Sequence, residues 1–212
     1  MKPALTLHLR DLSPALVSAW REAFAGEPGV QISQGDIFSE RAGPVTEADP
    51  IDVRADAIVS PANSFGFMDG GIDAVYTWVF GPGVQEALRA RLARDFAGEL
   101  PAGQAVIVAT GRPEIPWCIS APTMRVPCDV SETSNAYLAL RAALLAVQAH
   151  NRTEVAPIRS LLCPGLATAV GAMPPDRCAR QMHAAWRRIA AGEAFAPHTL
   201  RAAVQDEVEL RR

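Results

Sequence analysis

The chain is short of the residues that hold metals, staple small folds or grip polyanions. Its four cysteines, Cys118, Cys128, Cys163 and Cys178, fall at no metal-ligand spacing, and His8, His150, His183 and His198 are scattered without pairing. That pattern argues against a zinc site, and neither a metal nor another cofactor is expected. Cys118 and Cys163 sit in apolar, strand-like runs, which predicts buried, reduced thiols rather than a catalytic nucleophile. A formal net charge of -3 supplies no basic field for bulk nucleic acid or an anionic membrane surface. No apolar run approaches membrane-spanning length, and residues 1–10 are too short and interrupted for a signal peptide, so a cytoplasmic protein without a membrane partner is expected. There is no internal repeat, low-complexity tract or linker.

What is present suits one domain. The 212 residues, 49% apolar and 20% charged, can bury a core without disulfides. Residues 5–9 alternate like a strand, Ser13-Pro14 opens a helix to about Phe24, and residues 30–37 form a second strand running into Gly35-Asp36. Residues 38–54 carry glycine, prolines and acids with no period, and read as a surface loop inserted between strands. A lid over a ligand and a variable excursion both fit its length. Residues 57–59 form a buried strand, residues 84–96 a helix, and residues 105–109 and 117–121 two adjacent buried strands. Apolar residues at three and four apart make residues 131–150 the clearest helix. A strand at 158–163, a helix at 176–191 and an amphipathic helix at 199–210 complete the chain, the last with Leu200, Ala203, Val204 and Val208 on one side. Alternating strands and helices predict an α/β fold, a three-layer α/β/α sandwich around a central mixed sheet, with residues 199–212 as a packed cover.

Two strand-to-helix turns carry the candidate chemistry. Ser60-Pro-Ala-Asn63 runs through Gly70-Gly71-Ile72-Asp73, where Asp73 can cap the following helix and the glycines leave backbone N–H groups unshielded. Pro164-Gly165-Leu-Ala167-Thr168-Ala169-Val170-Gly171-Ala172-Met173 repeats the arrangement before a second helix. Free N–H groups at helix starts favour phosphate, and two such loops at strand ends can clasp two phosphates from opposite sides. A pair of tight turns whose glycines only satisfy backbone geometry is the plainer reading of the same residues. A nicotinamide-binding fingerprint is missing from the first strand-to-helix turn, which holds Arg10-Asp-Leu-Ser-Pro14.

With both loops in place, residues 31–190 resemble the macro domain family, whose members bind ADP-ribose and whose enzymatic members cleave ADP-ribose esters or phosphates. Four segments carry the resemblance in order: Gln34-Gly35-Asp36-Ile37, Asp56 to Asp73, Ala121-Pro122, and Pro164 to Pro174. The resemblance implies that Asp36 accepts from the adenine amino group with Ile37 beside the base, and that Asn63 faces the distal ribose. It implies phosphate contacts from Gly70, Gly71 and Ile72 on one side and from Ala167, Thr168, Ala169, Val170, Gly171 and Ala172 on the other. It also implies that Asn63 and Asp73 are the catalytic pair of a hydrolase. Candidate substrates are O-acetyl-ADP-ribose, ADP-ribose 1″-phosphate and ADP-ribosylated protein; a non-catalytic reader of ADP-ribosylated partners is the alternative. Several residues depart from the pattern. Ser60 stands where many members have Asn, Met68-Asp69 interrupts the first glycine run, and the second loop lacks an aromatic, for which Phe65, Phe67 and Met68 are substitutes. No counterpart of the family's last strand follows Ala190.

Overall fold

The first strand, β1 (Thr6–Asp11), lies second from one edge of a six-stranded sheet and is flanked by a strand close in sequence and one far from it. Its neighbours are β2 (Val30–Gln34) and β6 (Ser160–Cys163), both parallel to it. The sheet continues with β3 (Ala57–Ser60), β5 (Trp117–Ser120) and β4 (Val106–Ala109), giving the order β2-β1-β6-β3-β5-β4. Only β4 runs antiparallel, against β5, so the sheet is mixed as expected. The computed structural model describes residues 5–40, 51–193 and 195–212. Among these no strand follows residue 190, and the edge of β6 away from β3 is taken by β1.

Parallel strands place their carboxyl ends on one edge, which puts Asp11, Ser60, Ser120 and Cys163 side by side in the fold. Strands β3 and β6 are continuous apolar runs because helices cover both faces. On one face lie α1 (Pro14–Ala23), α4 (Asn135–Thr153) and α5 (Pro175–Ile189), burying Trp20, Leu140 and Met182 against Leu7, Val59 and Leu161. On the other lie α2 (Gly71–Phe80) and α3 (Gly83–Asp95), burying Tyr76, Leu88 and Leu92 against Ile58, Cys118 and Leu162. The α1 start follows the expectation from Ser13-Pro14. Ser13 Oγ accepts from Leu16 N at 3.3 Å, and Pro14 occupies the first helical position, where a missing N–H costs nothing. Cys118 and Cys163 are buried free thiols, and burial pushes both well above the ordinary thiol range.

Two expectations need correction. Most of the 38–54 insertion, residues 41–50, lies outside the described residues, but its ends are core rather than surface. Phe38 and Ile51 are buried, and Phe38 meets Tyr76 and Phe80 edge-on at 5.4 and 5.3 Å. The last helix, α6 (Leu200–Arg211), does pack on α5, but through its polar face. Arg188 forms a bidentate ion pair with Asp206, and Gln181 Nε2 donates to Leu210 O at 2.9 Å. Those directional bonds set the helix's rotation, so Leu210 is buried while Leu200, Val204 and Val208 stay exposed.

Candidate functional site

A cavity of about 450 Å³ opens along the carboxyl ends of β1, β6, β3 and β5. Its walls come from the first-loop residues Asn63, Phe67 and 69–73, the second-loop residues 164, 165 and 167–171, Asp11 and Ser13 at the end of β1, and Thr123, Met124 and Pro127 beyond β5. The lining therefore unites ten predicted residues: Asn63, Gly70, Gly71, Ile72, Asp73, Ala167, Thr168, Ala169, Val170 and Gly171. Three predicted residues are outside it. Asp36 sits just past β2, with Oδ1 accepting from Phe38 N at 2.8 Å and its carbonyl accepting from buried Arg10 Nε at 2.6 Å. Ile37 packs into the core beneath α2, and Ala172 is exposed beyond the lining.

The cavity's donors come from the backbone. Among the described residues its lining holds three carboxylates, Asp11, Asp69 and Asp73, and no lysine, arginine or histidine. Against them stand N–H groups without protein acceptors. The first turn of α2 leaves Gly71, Ile72 and Asp73 without intrahelical partners, and Thr168, Ala169, Val170 and Gly171 donate to no acceptor among the described residues. The two sets line opposite loops of one cavity, an arrangement suited to an anion with several oxygens.

Close packing holds the second loop in this form. A Cβ on Gly171 would stand 2.4 Å from Ala167 O and 2.8 Å from Val130 Cγ2. Ala167 adopts φ +63, so its carbonyl accepts from Met173 N at 3.0 Å. Asp11 ties the loop to the start of α1, its Oδ2 accepting from Gly165 N at 3.1 Å and its Oδ1 from Ser13 N at 2.9 Å. Asp11 was not among the predicted site residues. The signal was present, since Arg10-Asp-Leu-Ser-Pro14 is a strand-to-helix turn of the same kind as the two that were selected.

In the first loop the helix begins earlier than the sequence suggests. Gly71, at φ +57, is the first residue of α2 and Gly70 its cap, so Asp73 is in the first turn and does not cap the helix. Its side chain turns inward instead. Ser60 Oγ donates to Asp73 Oδ1 at 2.5 Å, and Asp73 is only 7% exposed. Burial pushes its carboxyl up to about 7, against which the Ser60 bond pulls down. Asn63 serves its own loop, its Oδ1 accepting from Phe65 N and Phe67 N while Nδ2 donates to Phe67 O at 2.8 Å. Of the three candidate aromatic substitutes, Met68 is buried in the core and Phe65 is outside the lining, which leaves Phe67. That ring is 43% exposed at the cavity and backed by the Arg89 guanidinium, 4.4 Å from its centroid.

The macro domain family model matches residues 59–182, the span from β3 through most of α5. The chain belongs to the macro domain family. An uncharacterized protein of Aquifex aeolicus is 33% identical to it over 141 residues, covering 66% of this chain and 74% of that protein. A macro domain-containing protein of Cupriavidus necator is 32% identical over 137 residues, 64% of this chain and 74% of its own length. Among solved structures, the macrodomain of Mycobacterium tuberculosis DarG matches with a TM-score of 0.57 at 19% identity, covering 74% of this chain and 90% of that one. A mutant Oceanobacillus iheyensis macrodomain with ADPR matches with a TM-score of 0.51 at 17% identity, covering 62% and 69% of the two chains. At those identities the likeness is one of fold. The strand order agrees with the expectation that no strand follows residue 190: among the described residues β6 is the last strand, and it is flanked by β1 and β3.

Proposed function

We propose that this macro domain binds ADP-ribose and hydrolyses a derivative of it at the distal ribose. The observation that carries the reading is Asp73, a buried carboxylate held near neutrality on the wall of a cavity whose opposite loops offer free N–H groups. The O. iheyensis macrodomain, a relative in fold, has been solved with ADPR. In this reading the loop N–H groups take the diphosphate, the β5 end takes the distal ribose, and Phe67 packs on a sugar face. Asp73 then acts as general base. A water oxygen bonds to the electrophilic carbon or phosphorus of the substituent, or to the anomeric carbon, while the bond to the leaving oxygen breaks. Asp73 accepts the water proton, and the leaving oxygen takes up a proton as it departs. Asn63 contributes by fixing the loop that carries Phe67.

Incubation with O-acetyl-ADP-ribose, ADP-ribose 1″-phosphate and an ADP-ribosylated protein tests the chemistry directly, and release from at least one is expected. Binding without release from any of them supports the second reading, a reader of ADP-ribosylated partners. Asn63 is the observation in that reading's favour, because both its amide oxygen and its amide nitrogen bond within its own loop. The base end is tested separately. In calorimetric titration Asp36→Ala is expected to weaken ADP-ribose binding by about 1 to 3 kcal/mol through loss of the adenine acceptor. Equal affinities would remove Asp36 from the site.

A further inference from the structure

Beneath the cavity floor, β3 ends in a side chain that neither the family resemblance nor the catalytic pair accounts for. Ser60 is fully buried, and its hydroxyl gives Asp73 Oδ1 the only hydrogen bond that carboxylate receives among the described residues. Oδ2 has no protein partner there, and the side chain that bears it lines the cavity. The other groups packed around Asp73 offer no substitute. Tyr76, one turn along α2, spends its hydroxyl on Val59 O at 3.0 Å. Cys118 of β5 is a buried neutral thiol, and the more distant Asp11 and Cys163 are an acid and another buried thiol. Among the described residues no cation lines the cavity or bonds to Asp73.

The neighbouring strand shows that a hydroxyl there need not find the carboxylate. Ser120 is the register partner of Ser60 across β3 and β5, and aligned residues of parallel strands share a face. Ser120 is also fully buried, yet its Oγ has no hydrogen-bond partner. Two serines thus stand side by side in the sheet, and only Ser60 is engaged.

We propose that Ser60 is the positioning residue of the catalytic carboxylate: its hydroxyl fixes Asp73 Oδ1, presents Oδ2 to the cavity, and supports the ionised form where no cation among the described residues does so. The functional half of this statement rests on Asp73 acting as the base, while the structural half does not. A hydroxyl that donates to the charged form favours ionisation, and its loss leaves desolvation unopposed. Ser60 thereby sets the pH at which the base becomes available.

The test compares the wild type with Ser60→Ala, Ser60→Thr and Ser60→Cys by NMR titration of the Asp73 side-chain carboxyl carbon, assigned with Asp73→Asn. The wild-type midpoint is expected near 7. In Ser60→Ala it should move up by about 1 on the pH scale, and Ser60→Thr, which keeps the hydroxyl, should restore it. Ser60→Cys keeps the shape with a weaker donor, gives an intermediate midpoint, and stands in if the alanine protein does not fold. In parallel, turnover of the released substrate should fall about tenfold at pH 6 in Ser60→Ala and recover by pH 9, with ADP-ribose affinity unchanged. A midpoint that stays put when the hydroxyl is removed overturns the proposal. Absence of turnover in the wild type at every pH overturns the hydrolase reading alone, because the carboxyl titration needs no catalysis.

Discussion

Asp73→Asn should yield a protein that has lost turnover by about a hundredfold or more and yet melts higher than the wild type at pH 8. The two effects share one cause. Asp73 ordinarily titrates at 3.8, and burial in this fold raises it to about 7. Between those values the folded protein holds a proton that the unfolded chain has released, so folding is progressively disfavoured as pH rises. The stability contribution is fully present below about pH 4 and is lost by the time pH has passed 7, a difference on the order of 4 kcal/mol for a side chain this buried. Asparagine keeps the acceptor for the Ser60 hydroxyl and has no charge to bury, so its stability should lack that decline. Thermal melts of both proteins from pH 4 to 8 check the slope, and coincident curves would mean that Asp73 ionises without penalty. Asp69, exposed on the same wall, supplies the comparison for catalysis. Asp69→Ala should lose far less turnover, and the reverse ranking would assign the base to the wrong carboxylate.

The second large effect is expected at Gly171, where conformational freedom is not the reason for glycine. An added methyl group would press on Ala167 O, which Met173 N already holds, while Gly171 O accepts from Val130 N at 3.0 Å. With both ends of the loop pinned by backbone, the strain opens the turn. Gly171→Ala is therefore expected to cost about 1 to 3 kcal/mol of stability. Displacing two or more phosphate-facing N–H groups, at about 0.5 to 1.5 kcal/mol each, should weaken ADP-ribose by about 10- to 100-fold. Gly83→Ala is the control, since its methyl group meets nothing within 4 Å in the first turn of α3. Denaturant melts and calorimetry report on both proteins. If Gly171→Ala binds as the wild type does, the second loop takes no part in holding the diphosphate.

How legible the chain was depended on how local each decision is. Strand β3 reads directly from Ala57-Ile58-Val59, and α4 from apolar residues recurring at three and four, because burial imposes those periods wherever the elements pack. The three-layer arrangement follows from their alternation. Asp73 was misplaced because an aspartate before an apolar run ordinarily caps a helix, whereas here the φ of Gly71 starts α2 three residues sooner and swings the carboxylate toward Ser60. The apolar stripe of α6 was misread for a related reason, as the ion pair between Arg188 and Asp206 comes from another helix and outweighs the local pattern. The turn that holds Asp11 was visible in the sequence, but the residue that Asp11 ties down was hidden by distance along the chain. Its partner Gly165 lies 154 residues away, and nothing near either residue announces the other.

That separation has a consequence for how the molecule is made. During synthesis β1 can pair early with β2, 23 residues behind it by register, as Leu7 does with Val30. Its other edge must wait for β6, and until Ser160–Cys163 emerge the strand presents a row of unsatisfied backbone groups in the nascent chain. Closing so long a loop is slow, and a half-built parallel sheet is prone to stray pairing. The ligand cavity therefore forms late, because one of its walls is translated long before the strand that seats it.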